Sequence, residues 1–208
     1  MNNLSRLPFR HRRCTIAQVL TIGSMLAAMS FTATALELTV TEREQAIVSA
    51  LINHGMQADV QMVVLAGNTT GDPASIGEQE HAETILTELE VPPETLLDWQ
   101  QRNRRISSIE YALDVDVSYQ LLDRKTHRAL FNVSEPESGW QAFFKRYPGA
   151  PGLIRVSHAG FDHSLKHALV YAEFQCGAEC GSGRVVHLTD QGNNTWAVTA
   201  TALVWIVQ

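Results

Sequence analysis

The residues with the most chemistry to offer lie in the last third of the chain. Cys176-Gly177-Ala178-Glu179-Cys180-Gly181-Ser182-Gly183 sets two thiols among glycines with three residues between them. Paired cysteines serve as a disulfide, a redox couple or half of a metal site. A redox pair usually has two residues between its cysteines and sits beside a βαβ unit. Here there are three residues between, in a hairpin setting. A zinc site needs two further ligands. His167 and His187 flank the motif, but thiolate ligands conflict with an oxidising compartment. The sequence therefore predicts a structural Cys176–Cys180 disulfide, with no metal and no cofactor. The ring it closes is small, so the loop-entropy gain is about 2 kcal/mol.

Ser157, His158 and Asp162 supply the residue types of a hydrolytic triad, with His163 as a second base. These four are the catalytic candidates. A triad is a constellation in space, and neighbours on a strand point to opposite faces, so Ser157 and His158 are expected to diverge. Gly181-Ser182-Gly183 is not the G-x-S-x-G elbow, which needs a strand-turn-helix setting. His163-x-x-x-His167 has helical metal-site spacing, but the segment reads as a turn entering a strand. The acids Glu78, Glu80, Glu83, Glu88, Glu90, Glu94 and Asp98 read as a solvated helix face. Arg102, Arg104 and Arg105 at a helix end suit the macrodipole.

The elements that must position these groups are legible in part. Thr41-x-x-Glu44 is a capping-box pattern, followed by Ile47, Ala50, Leu51 and His54 on one helical face and a stop at Gly55. Residues 58–66 form an apolar, β-branched run bounded by glycines, which reads as a strand. Ser75-x-x-Glu78 opens a second helix carrying Ala82, Ile85, Leu86 and Leu89, and Pro92-Pro93 ends it and starts a third over 93–104. Val115, Val117, Tyr119 and Leu121 alternate with polar residues, as in a half-buried strand. A helix capped by Ser138 presents Trp140, Phe143, Phe144 and Tyr147 on one face and stops at two Pro-Gly pairs. Strands follow at 153–159, 167–175, 184–189 and 195–207, with short joins that favour an antiparallel meander. The expectation is an α+β fold: N-terminal helices packed on a mostly antiparallel sheet that ends in a C-terminal β-meander. A cystatin-like or NTF2-like cone is the nearest analogy. Its concave face would be lined by Trp140, Phe143, Tyr171 and Trp196, residues that are more often core.

The first thirty-five residues have the three parts of a secretory signal. Arg6, Arg10, Arg12 and Arg13 are followed by an uncharged stretch from Cys14 to Leu36, which holds an apolar centre and ends in Ala33-Thr34-Ala35. Cleavage is predicted between Ala35 and Leu36. The alternative is an uncleaved membrane anchor, since the stretch is long enough to span. Residues 36–208 then form a single α+β domain, mainly helical over 36–110 and mainly β over 111–208. Of the 208 residues and net charge of −6, cleavage leaves 173 residues and a charge of −10. Residues 36–100 hold twelve acids and one base, Arg43. So acidic a chain is ill suited to nucleic acid, whose phosphates need Lys and Arg. The 45% hydrophobic content also excludes a disordered chain.

From the Trp140 helix onward, the chain resembles a class of uncharacterised secreted bacterial proteins. The residues that carry the resemblance are Trp140-Gln141-Ala142-Phe143-Phe144-Lys145-Arg146-Tyr147-Pro148-Gly149-Ala150-Pro151-Gly152, Gly160-Phe161, Ala168-Leu169-Val170-Tyr171, Cys176-Gly177, Cys180-Gly181-Ser182-Gly183, Trp196 and Trp205. The resemblance covers roughly the last seventy residues and implies export, without implying an activity. The sequence therefore points to an exported envelope protein, periplasmic or secreted, that binds a protein or small-molecule partner without catalysis. A secreted hydrolase, or an inhibitor-type protein acting through its hairpin, is the alternative.

Overall fold

The computed structural model describes residues 40–55, 60–71, 87–110, 112–132 and 134–207. Thr41–Gln208 is one compact unit. Its elements in chain order are α1 (40–55), β1 (Met62–Ala66), α2 (Pro93–Arg102), β2 (Ser118–Leu122), α3 (Arg124–Phe131), α4 (Pro136–Arg146), β3 (Leu153–Val156), β4 (Gly160–Phe161), β5 (His167–Gly177), β6 (Cys180–Asp190) and β7 (Trp196–Val207). The fold is α+β. One mixed seven-stranded sheet runs in the order β2-β1-β3-β5-β6-β7, with β4 paired to β5.

The sheet has two characters. From β3 through β7 every pairing is antiparallel, the C-terminal meander expected from the short joins. On the other side β1 pairs parallel with both β2 and β3, which corrects the picture of a plain meander. Parallel neighbours need a crossover. The chain supplies one with α2 between β1 and β2, and another with α3 and α4 between β2 and β3. Val63 to Ala66 of β1 are all buried, as befits a strand flanked on both sides.

Several boundaries differ from the sequence reading for local reasons. Thr41 lies inside α1 rather than before it, and Glu44 is buried and bound to Arg102. The buried face of α1 runs through Glu44, Ile47, Val48 and Ile52; His54 is exposed. α3 went unrecognised; its signal is Asp123, whose carboxylate accepts the Thr126 N–H as N-cap. α4 begins at Pro136, two residues before Ser138, with Pro at its first turn. The second expected helix lies outside the described residues except for 87–89.

Two hydrophobic clusters hold the helices to the sheet. Leu89, Val91, Leu96 and Trp99 pack on Leu169, Tyr171, Val185 and Ala202. Trp140, Phe143, Tyr147 and Ala150 pack on Val64, Ala66, Leu122 and Leu153. Leu153 lies opposite Gln175, in phase with Tyr171 and Leu169, so α2 and α4 share one face of the sheet. Close approach of α2 depends on Gly160, where any Cβ would collide with the backbone and Cβ of Trp99.

Candidate functional site

The densest polar cluster gathers on Glu44. One carboxylate oxygen of Glu44 accepts from Arg102 Nη2 at 2.6 Å and from the Ala159 N–H at 3.2 Å, and faces His158 Nδ1 at 3.1 Å. Burial pushes the Glu44 carboxyl up, but the hydrogen bond with His158 and the charges of Arg102 and His158 outweigh it and hold it below the ordinary value. Asn103 fastens the same region, donating to the carbonyls of Trp99 and His158 and accepting the His158 N–H. The cluster ties α1, the end of α2 and the segment after β3 together. It also shows why Arg102 needs no external anion: its partner is Glu44. Positions 44, 102 and 158 are too far apart for spacing to reveal them.

The four catalytic candidates do not converge. The Ser157 hydroxyl donates to the His158 carbonyl and accepts from Trp99 Nε1 and the Tyr171 N–H, both at 2.9 Å. Its oxygen is therefore fully engaged in the core. The His158 ring turns instead to Glu44, which orients the imidazole. Asp162 organises a turn: it accepts from the Ser164 hydroxyl and the backbone N–H groups of Ser164, Lys166 and His167. Burial pushes its carboxyl up, but these bonds outweigh it, with a net downward shift. His163 is nearly fully exposed, 3.7 Å from Glu94. Asp98, read as part of a solvated face, accepts the Phe161 N–H at 2.8 Å and anchors β4.

His167 and His187 meet across β5 and β6, with Nδ1 of the first 3.0 Å from Nε2 of the second. His187 Nδ1 lies 2.9 Å from the Leu89 carbonyl and so carries the proton. That leaves its Nε2 as acceptor and His167 Nδ1 as donor. Burial lowers the His187 pKa, partly opposed by its Leu89 bond. The pair lies nine residues along β5 from Cys176, about 30 Å away, so the histidines and cysteines do not gather around a shared ion. His163 faces Glu94, whereas His167 faces His187. Among the described residues no group of three or more His, Cys, Asp or Glu gathers as a metal cluster.

The cysteines form the expected disulfide, Cys176–Cys180, with Cα atoms 5.0 Å apart, at the tip of the β5–β6 hairpin. Beside it opens a cleft of about 320 Å³ lined by Pro136, Trp140, Gln175, Gly177, Ala178, Cys180, Gly181, Trp205 and Val207. Gln175, Gly181 and Trp205 are brought to this face by strand register. Trp205 is pinned by its indole N–H, which donates to the Tyr171 hydroxyl at 2.7 Å, and Tyr171 donates to Glu173, which pairs with Arg155. Burial pushes the Tyr171 hydroxyl well above its ordinary range. The glycines now have a purpose: a Cβ at Gly183 would strike Trp205 Nε1 and the Tyr171 hydroxyl, and one at Gly181 would crowd the indole.

The four aromatics expected to line one concavity are dispersed. Phe143 is wholly buried in the α4 cluster, and Trp140 belongs to that cluster while also reaching the hairpin cleft. Tyr171 is core beneath Trp205. Trp196 packs on Phe161 and lines a separate groove between α1 and the start of β7. The residues missed by sequence reasoning are Glu44, Arg102 and Asn103 in the polar cluster, and Gln175 and Trp205 in the cleft.

No protein-family model matches the chain, and neither a curated protein nor a solved structure matches it. The cone analogy gains no support from that side. No described helix is long and apolar enough to cross a membrane.

Proposed function

We propose that this chain is an exported bacterial envelope protein, periplasmic or secreted, that binds a ligand or partner without transforming it. One contrast carries the reading. The groups with catalytic potential are spent on structure: Ser157 in the core, Asp162 in a turn, Glu44 against Arg102. In the hairpin cleft, by contrast, the Trp140 indole N–H and the Gln175 amide have no hydrogen-bond partner among the described residues while lining open space. The disulfide and the basic-apolar-small pattern of residues 1–35 support export.

The second reading is a hydrolase in which His158, oriented by Glu44, activates a water. The two separate cleanly. Expression of the full chain in a bacterial host, fractionation and N-terminal sequencing should yield an envelope protein beginning at Leu36. That protein should not hydrolyse a panel of chromogenic esters above buffer. Turnover that disappears in His158→Ala would replace the binding reading with the hydrolase, and a cytoplasmic product with an intact Met1 would overturn export.

A further inference from the structure

We infer that the hairpin cleft is a binding site for a neutral sugar ring, stacked on Trp205 and hydrogen-bonded by Trp140 and Gln175. The inference rests on the binding-protein reading and gives that reading a site and a ligand class.

The lining decides the class. None of the cleft residues is charged, so neither an anion nor a cation would find compensation for its lost hydration there. The volume of about 320 Å³ is at the low end for small-molecule sites. It suits about one or two rings rather than an extended chain. The chemistry offered is an apolar ring face together with polar groups at its edge. A pyranose has that profile, with one face of C–H groups and a rim of hydroxyls that both donate and accept.

The indole of Trp205 is a prepared wall. Its N–H is fixed on the Tyr171 hydroxyl, and it lies over Gly181 and Gly183, whose missing side chains let it settle flat against the hairpin. Little rotamer entropy is left to lose when a ring stacks on it. Trp140 is held by ring contacts with Phe131, Phe143 and Phe144. It is 6% exposed, yet its N–H has no partner among the described residues. Trp140 lines the open cleft, where a sugar hydroxyl oxygen can accept from this donor. Gln175 projects from the same sheet face and presents both a donor and an acceptor. The disulfide closes the far wall, since Gly177, Ala178 and Cys180 belong to the stapled tip.

The experiment titrates the purified disulfide-intact protein with cellobiose and N,N′-diacetylchitobiose while following tryptophan fluorescence. Glucuronic acid, glucosamine and N-acetyltyrosinamide serve as charged and aromatic comparators. Saturable binding of a neutral disaccharide is expected, weakened at least tenfold in Trp205→Ala and at least fivefold in Gln175→Leu. Exposed His163, in the turn before β5 and so at the opposite end of that strand from Gln175, provides the control: His163→Ala should bind as the parent does. If Trp205→Ala does not fold, Gln175→Leu alone decides. Sugar binding unchanged in Gln175→Leu would overturn the site. Binding of the aromatic or charged comparator in place of the disaccharides would overturn the ligand class and leave the binding-protein reading standing. Absence of binding to every probe overturns the sugar site, and ester turnover by the same sample would overturn the reading on which it rests.

Discussion

Replacing Glu44 by glutamine removes the charge at the centre of the α1–α2–β3 junction while keeping an oxygen for the Ala159 N–H. The Glu44 side chain is 10% exposed and that of Arg102 25%. Deleting one partner of a fully buried ion pair costs about 3–5 kcal/mol, because the other charge stays buried and uncompensated. Arg102 is a quarter exposed and partly rehydrates, and screening reduces the interaction further. The expected cost for Glu44→Gln is therefore about 2 kcal/mol, or a fall in Tm of about 4–8 °C for a domain of this size. Acid provides an independent reading. The Glu44 carboxyl is held below its ordinary value of 4.5 in the folded state. Its contribution is thus fully present above that value and is lost as the pH falls through the folded pKa. Urea unfolding of the parent, Glu44→Gln, Arg102→Gln and the double variant, at pH 7 and in steps below pH 4.5, measures both effects. The parent should lose stability in that acid window more steeply than Glu44→Gln, and the two single substitutions should couple. A Glu44→Gln protein within about 0.5 kcal/mol of the parent at pH 7, or a coupling energy of zero, would refute the assignment of Glu44 as the keystone of the junction.

Three further outcomes are expected. Ser157→Ala strands the Trp99 indole N–H and the Tyr171 backbone N–H; the cost should be about 3 kcal/mol by urea unfolding, and a neutral result would mean that Ser157 is free for chemistry after all. Gly160→Ala forces a methyl into the Trp99 backbone, so it should destabilise by roughly 3 kcal/mol or abolish soluble expression, whereas Gly149→Ala, where a Cβ meets nothing within 4 Å but φ is +88°, should cost only about 1 kcal/mol of backbone strain. Burial depresses the folded-state pKa of His187 below 6.5. The unfolded chain therefore takes up that proton first, and stability should decline as pH falls from about 6.5 toward the folded pKa. His187→Gln should flatten this slope in a thermal-unfolding series, and an identical slope would remove His187 from the acid response.

The degree of foresight varied with the range of the interaction. α2 was read within two residues because Pro92 and Pro93 act locally, and the three long C-terminal strands were recognised from apolar runs and the turns between them, whereas β3 ends at Val156, short of the expected Ala159, and the two-residue β4 was read as a join. α3 was missed because its cap, Asp123 with Thr126, precedes a helix with no buried residue, and hence no apolar stripe to see. The buried face of α1 was misplaced by assigning Ala50, Leu51 and His54 to it, since a polar Glu44 in the stripe breaks a pattern based on hydrophobicity. At the candidate site, Trp140 was named from its helix, but its neighbours Gln175 and Trp205 come from strands that only register brings alongside. The catalytic candidates shared a short stretch of sequence, and adjacency along a chain says nothing about which way side chains turn.

By itself the sequence determined what depends on neighbours along the chain or on covalent chemistry. The breaks at Pro92-Pro93 and Pro148-Gly149, the α+β class and the Cys176–Cys180 staple follow from steric and periodic rules that operate over a few residues. Tertiary structure alone decided that β1 lies parallel between β2 and β3, that Glu44 is the partner of Arg102 and His158, that Ser157 is a core hydrogen-bonding post, and that Trp140, Gln175 and Trp205 share a cleft. These outcomes rest on contacts between residues fourteen to more than a hundred positions apart, where the preference is set by burial and by satisfying polar groups in a dry interior. No local pattern encodes which of many distant partners will meet that demand.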